Sequence, residues 1–531
     1  MGGGVIGTTT ALALQRTGWT VTLVEAEDTP RAASWGNAGH IATEQAEPIA
    51  SPAMVRGFAK RLFCRGGALA LPPREIATWL PFSLRLLKAA RPARYERSHQ
   101  ALAALLAQAM PAWQRHVAAL GEPDLLRPDG HVVLWETPES AARGLANWQA
   151  ADTGTTRFRS LTEAELHDWR ARVRAPIAGG IRFEGSGQIA DPTRLAETTT
   201  TRLLADGGTR LIARVAAVGD GEVHLTDHRP LSADQIIVTA GVASAALLRP
   251  FGLKVPIIAE RGYHLQTGPD VDWPADLPPV VFEDRSMIVT RFAGGLRAAS
   301  IVEFARAEAK PDPAKWNRLR HHIAALGLPI GEDAKPWMGA RPTLPDYLPA
   351  IGKVPGTRGV SYAFGHNHLG LTLAPITGEL VAAMVAGSRR PFPRRRSNCS
   401  DSGDPGQLSV ERRVLPKIGQ WLVEDANRRI GPYRAHHYHC SDHDQGTDRQ
   451  GSRQARGAFA GNADRPEQYG GKYEVDQAPI DLTGKWHCQG RGEKHARQQR
   501  PDGIPQCPGI APRRLWINCI STPSDGRRSA S

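Results

Sequence analysis

Apolar residues recur along this chain at two periods, and the switch between them marks its elements. In residues 72–120, Leu102, Leu105, Leu106, Ala109, Trp113 and Val117 step by three and four, which sets one helical stripe against a core, with Pro111 bending or restarting the helix. Residues 8–17 read as a helix closed by Gly18, and residues 20–25 as a buried strand ending in the carboxylate of Glu25. A strand at 131–136 follows the turn signal Pro128-Asp129-Gly130, and Thr162 and Glu165 cap a short helix. Residues 179–183 read as a strand and 185–188 as a turn, before Asp191-Pro192-Thr193 caps a helix running to Leu204. Short strands are expected at 211–218 and 222–226. Residues 235–241 form an apolar run ending in small residues, the pattern of a central parallel strand whose tip touches a ligand. From Leu253 to about Phe304 the chain alternates as an antiparallel sheet, and a helix is expected through 316–326. Residues 360–385 read as strand, glycine-flanked polar turn and apolar helix.

Composition narrows the class. A chain of 531 residues is long enough for two or more domains. The net charge of +13 is diffuse rather than gathered into a lysine-arginine stripe with interleaved aromatics, which argues against a nucleic-acid groove. There is neither an apolar run of membrane-spanning length nor a secretory signal pattern, and Cys64 is the one cysteine in the first three quarters, so a cytosolic protein without a disulfide framework is expected. Beyond about Pro391 the composition turns polar and aperiodic, and residues 393–531 read as a disordered extension or an out-of-frame translation. His436, His437, His439, Cys440 and His443 lie there without CxxC pairs or regular spacing, so no metal centre is expected.

The candidate chemistry begins at Gly2-Gly3-Gly4-Val5-Ile6-Gly7, which reads as a tight turn into a helix N-terminus. Gly2 permits the turn, Gly4 lets backbone approach a pyrophosphate, and Gly7 lets the helix lie close on the sheet. Glu25 falls where a carboxylate accepts hydrogen bonds from a ribose. A first β-strand should precede this turn, yet only Met1 does, so the natural start is expected to lie upstream. The small-residue loop at 31–41 suits either a flat ring system with its phosphates or an ordinary connection.

In this order, residues 2–7, 34–40, 238–241, 337–342 and 365–375 resemble the FAD-dependent D-amino-acid oxidase superfamily, nearest to bacterial D-amino-acid dehydrogenases and D-hydroxyproline-type relatives. The likeness spans residues 2–392. It implies an α/β fold with a glutathione-reductase-like, Rossmann-type FAD domain built from 1–50, 179–252 and 337–392. An α+β substrate domain with an antiparallel or mixed sheet would come from 51–178 and 253–336. FAD, not NAD, is implied as cofactor. Gly2, Gly4 and Gly7 would form its phosphate turn, Glu25 would hold ribose and Val215 adenine. Ser34, Asn37, Gly39 and His40 would line pyrophosphate and flavin, with Gly241 at a strand tip. Gly365, Gly370, Leu371 and Thr372 would present the backbone donors of the flavin's pyrimidine edge. Arg341, in a Gly-x-Arg-Pro motif, would clamp a substrate carboxylate. Tyr263 is read either as a substrate contact or as core, His368 as a proton shuttle or a structural histidine, and Arg297 and Glu303 as a structural pair.

The activity so implied is oxidative deamination of a D-amino acid, of D-proline or D-hydroxyproline type, by hydride transfer to flavin N5. Electrons would pass to a quinone or another acceptor, with peripheral contact to the cytoplasmic face of an inner membrane left open. Two alternatives stand beside it: a glycine- or sarcosine-type amine oxidase using O2, and a non-catalytic protein binding nucleic acid through its basic tail.

Overall fold

The computed structural model describes residues 1–28 and 32–387; the expectations for 393–531 lie outside the described residues. The helix Val5–Arg16 is buried on nearly every side, from Val5 through Leu14. Two of its three consecutive threonines satisfy their hydroxyls on carbonyls: Thr8 Oγ1 donates to Val5 O at 3.2 Å, and Thr9 Oγ1 is shared between Val5 O at 2.8 Å and Ala374 O at 2.9 Å. The last of these bonds ties the first helix to the last, Ala374–Ala386, which crosses it at Gly378. Thr22–Glu25 pairs in parallel with Thr209–Ile212, and Ile236–Val238 in parallel with Val360–Phe364, which also pairs antiparallel with Ala350–Lys353. Met1 and Gly2 bridge the two parallel ladders, Gly2 N–H donating to Val24 O at 2.8 Å and Thr239 N–H to Met1 O at 2.9 Å.

The second layer is a nine-stranded, largely antiparallel sheet. Its path runs Lys335–Thr343, Ile258–Gln266, Gly295–Ala305, Met287–Phe292, Val280–Phe282, His131–Trp135, Gly179–Glu184 and Arg157–Ser160, with Leu69–Ala70 pairing beside Gly295–Ala305. Val280–Phe282 and His131–Trp135 run parallel. Between Gly262 and Tyr263 the register against Gly295–Ala305 shifts, leaving Ile301 at φ +58° as an extra residue. That conformation is strained for a β-branched side chain, and the bulge re-aims the strand beside Arg341.

Several boundaries move from the sequence expectation. Residues 72–120 form three helices, Ile76–Ala89, Pro92–Leu106 and Ala109–Leu120, and Pro111 sits in the first turn of the last, where a missing N–H costs nothing. Residues 211–218 are split between Thr209–Ile212, in the parallel ladder, and Val215–Val218, in a separate antiparallel sheet with Glu222–Leu225 and Pro230–Ser232. Gly179–Glu184, expected in a nucleotide-binding segment, lies in the large sheet. Gly187–Ile189, expected as a turn, is a strand between His40–Ile41 and Leu126–Arg127.

Candidate active site

The glycine turn forms one wall of a cavity of about 930 Å³ that also reaches the large sheet. Gly2 has φ +100°, and a Cβ there would meet Thr239 O at 2.6 Å, so this position excludes side chains. Gly4 is the helix N-cap, with no side-chain cap, while Ser34 Oγ accepts from the Val5 N–H at 3.2 Å. The helix start thus offers N–H groups and its positive dipole end to an anion. Glu25 closes this end of the cavity, its carboxylate accepting from the Gly3 N–H and, at 2.7 Å, from the Ala26 N–H. At the far end lie Tyr263, Arg341, His368, Gly370 and Leu371.

Gly2, Gly4, Glu25, Ser34, Asn37, Val215, Gly241, Tyr263, Arg341, His368, Gly370 and Leu371 therefore share one lining, although they are drawn from positions 2 to 371. Gly7, Gly39, His40, Gly365 and Thr372 stand outside it. Gly7 packs beneath Gly2, Gly39 against Phe292 and Gly365 against Leu344. Thr372 Oγ1 accepts from the Ala42 N–H at 3.0 Å, and His40 turns toward Glu44.

Arg341 and Glu260 face each other across neighbouring strands, with Nη1 donating to Glu260 Oε1 at 3.3 Å. Thr343 Oγ1 at 3.0 Å and the Tyr347 hydroxyl at 3.3 Å donate to the other carboxylate oxygen. Glu260 is thereby held on both oxygens, and the guanidinium keeps further donors for the cavity. Gly262 makes room for it, since a Cβ there would stand 2.5 Å from Arg341 Nη2. His368 Nε2 lies 2.6 Å from Gln45 Oε1; an amide oxygen only accepts, so Nε2 carries the proton and Nδ1 holds a lone pair. Nδ1 is buried without a partner, as are His366 Nδ1 and Asn367 Nδ2, and all three residues line the cavity. Burial draws the His368 imidazole down to about 4, so it is neutral at pH 7.

The 34–40 loop is pinned from the sheet. The Arg297 guanidinium donates to Asn37 O and, at 2.8 Å, to Gln266 Oε1, while His264 Nδ1 donates to Gly36 O at 2.8 Å and its ring stacks on Trp337. This corrects the Arg297–Glu303 pairing read from sequence. Glu303 instead meets Arg261 and Lys315, each at 3.0 Å, and accepts from the Tyr263 hydroxyl at 3.3 Å. All four of these groups are buried. Sequence reasoning missed Glu260, Gln45, Trp337 and Tyr347 as parts of the site. The one available signal was Glu260-Arg261, a charged pair inside an otherwise strand-like run.

The family described as FAD dependent oxidoreductase (DAO) matches residues 1–384. D-amino-acid oxidase of Bradyrhizobium diazoefficiens is 28% identical over 410 residues, covering 74% of this chain and 96% of that protein. D-amino acid dehydrogenase 2 of Pseudomonas aeruginosa is 31% identical over 411 residues, covering 74% and 94%. Among solved structures, glycine oxidase from Geobacillus kaustophilus is similar in fold, with a TM-score of 0.54 at 21% identity, covering 75% of this chain and 98% of that one. The residues fit FAD: the side-chain-free turn and uncapped helix suit its pyrophosphate, Glu25 suits ribose hydroxyls, and the orphaned polar atoms of His366, Asn367 and His368 await a partner with hydrogen-bonding edges.

Proposed function

The chain belongs to the FAD dependent oxidoreductase (DAO) family, and from that premise we propose that it is a D-amino-acid dehydrogenase that passes electrons to a quinone in a membrane. One observation carries the reading: the Arg341 guanidinium and the neutral His368 share a single cavity with the glycine turn and Glu25. Bound FAD supplies a hydride acceptor at N5.

The residues do the rest. Arg341 meets the substrate carboxylate with a planar pair of donors, and Glu260 keeps the guanidinium from swinging. His368 Nδ1 accepts a hydrogen bond from the substrate amine and so fixes its position, and it is from the neutral amine that Cα–H leaves as hydride. Water hydrolyses the resulting iminium to a 2-oxo acid and ammonia, and a ring substrate stops at the cyclic imine. Two fixed contacts on Cα substituents, together with the cavity wall, decide which enantiomer points its Cα–H at the ring.

The choice of a membrane acceptor over O2 is supported by the surface. Ile76, Leu80, Leu84 and Leu87 are exposed along the helix Ile76–Ala89, and Val55 and Phe58 along Pro52–Arg61. Exposed Arg56, Lys60, Arg61, Arg85 and Lys88 surround them, which suits an anionic lipid surface. A second cavity, of about 1,720 Å³, opens among Val55, Phe58, Leu80 and Leu87 and shares Arg341 with the first, giving an apolar acceptor a route to the site. Among the described residues no helix is long and apolar enough to cross a membrane.

Anaerobic mixing of the FAD-loaded protein with D-proline, D-hydroxyproline, D-alanine and their L-enantiomers tests the substrate. At least one D-form should bleach the flavin while its L-form does not; bleaching by neither enantiomer of any of them removes the reading. A soluble quinone analogue should be reduced faster than peroxide appears under air, and peroxide stoichiometric with substrate would make the protein an oxidase instead.

A further inference from the structure

We propose that His40, Glu44 and His131 form a binding site for one divalent transition-metal ion, Zn2+ by chemistry, outside the FAD cavity. His40 comes from the strand His40–Ile41, Glu44 from the turn after it, and His131 from the start of His131–Trp135. Their ligand atoms all lie within 4.8 Å of one another, and their side chains are 9%, 2% and 2% exposed.

The hydrogen-bond direction at His40 points to a cation here. His40 Nδ1 is 3.2 Å from Gly187 O, and a carbonyl only accepts, so the proton sits on Nδ1. Its Nε2 lone pair then faces Glu44 Oε1 at 3.0 Å, acceptor against acceptor. His131 stands beside it: Nδ1 meets Ser186 Oγ at 2.8 Å, a hydroxyl that can donate to it or accept from it, and Nε2 faces the same carboxylate oxygen from 4.0 Å. Glu44 Oε2 is buried without a partner, and the ion pairs of Glu44 among the described residues involve these two histidines alone. A second proton on His40 would satisfy one of these contacts. A metal ion is answered by both Nε2 atoms and Glu44 Oε1 at once, and leaves a position for water.

Two imidazoles and a carboxylate, with no thiolate, suit Zn2+ over Mg2+ or Ca2+, which prefer all-oxygen sets. Outer partners of this kind orient ligating histidines: Gly187 O fixes the tautomer of His40, and Ser186 Oγ can accept the Nδ1 proton of a metal-bound His131. The ion also has a positioning role, because Gln45, next to Glu44, holds His368 Nε2.

The test uses the full-length, FAD-loaded protein, incubated with one equivalent of ZnCl2, desalted and assayed by elemental analysis. One zinc per chain should remain, and Glu44→Gln and His131→Gln should each lose it while keeping the flavin spectrum. Release of zinc by the unaltered protein overturns the site, as does equal retention by folded variants, which would place the metal elsewhere, for instance on the histidines beyond residue 435. If the variants fail to fold, the unaltered protein loaded with Co2+ decides: intense ligand-field bands of a four- or five-coordinate ion support the site, and a weak octahedral aquo spectrum overturns it. Neither readout depends on turnover, so failure here leaves the proposed reaction standing.

Discussion

Arg341 works only if its guanidinium stays where Gly262 lets it lie. A Cβ at Gly262 would sit 2.5 Å from Nη2 and 2.7 Å from Cζ, and a long side chain yields more cheaply than two paired strands. Gly262→Ala should therefore leave the fold and the flavin spectrum intact and displace the clamp. Losing a charge-assisted carboxylate contact of about 1.5–3 kcal/mol raises KM for the amino acid roughly tenfold to a hundredfold. Steady-state kinetics check this, and an unchanged KM would take Arg341 out of substrate binding. Tyr263 leads to the opposite expectation. Its hydroxyl is engaged by Glu303 and its ring packs edge-on against Trp316, so Tyr263→Phe should change KM less than about twofold while costing roughly 0.5–1.5 kcal/mol in thermal stability. At this scale the motif chemistry of Arg341 was legible in sequence and its support was not. Strand alternation assigns a charged residue to the solvent side, yet Ile258–Gln266 is covered on both faces, so Glu260 and Arg261 are inside, answered by partners more than 40 positions away in Arg341, Thr343, Tyr347 and Glu303.

Among elements, the two helices that bracket the chain show what pattern can and cannot reveal. Residues 8–17 and the run ending at Val385 were recognisable as helices, and the glycines before the first one as a turn, because local rules govern both. Gly378 reads locally as a weak point inside a helix. In the fold it is the crossing point, where a Cβ would stand 2.8 Å from Thr9 O and 3.1 Å from Thr10 N, both backbone atoms that cannot swing aside. Gly378→Val should push the helices apart, with an overpacking cost of about 1–3 kcal/mol. The first helix also carries the phosphate turn, so the variant should bind FAD more weakly as well as melt earlier; a variant that purifies with full flavin content and unchanged melting would show that the crossing tolerates separation. The bulge at Ile301 was invisible for a related reason. An extra residue in one strand is defined only by the register of its partner, which local sequence does not contain.

For the whole molecule, the parallel ladders were foreseeable from apolar runs, whereas the order of the large sheet, which joins the strands of 131–184 to those of 258–343 where Val280–Phe282 pairs with His131–Trp135, depends on a pairing across more than a hundred residues. The same long-range burial leaves a thermodynamic signature. His116, His264 and His366 are driven by burial from an ordinary 6.5 to about 3, and His368 to about 4. Each takes up a proton near pH 6.5 when unfolded and refuses it when folded, so below that pH the unfolded state binds more protons and stability falls as pH drops. The slope reaches about 1.4 kcal/mol per pH unit for each histidine. Melting temperature should be flat above pH 7.5 and decline from pH 6.5 toward 4.5, before carboxylate protonation adds its share. His116 offers the clean control, since it is packed beside Trp113 and away from the cavity lining. In His116→Leu that proton is gone, so the fall in melting temperature between pH 8 and pH 5 should shrink. An unaltered profile would mean that this imidazole is already accommodated as a cation in the folded protein.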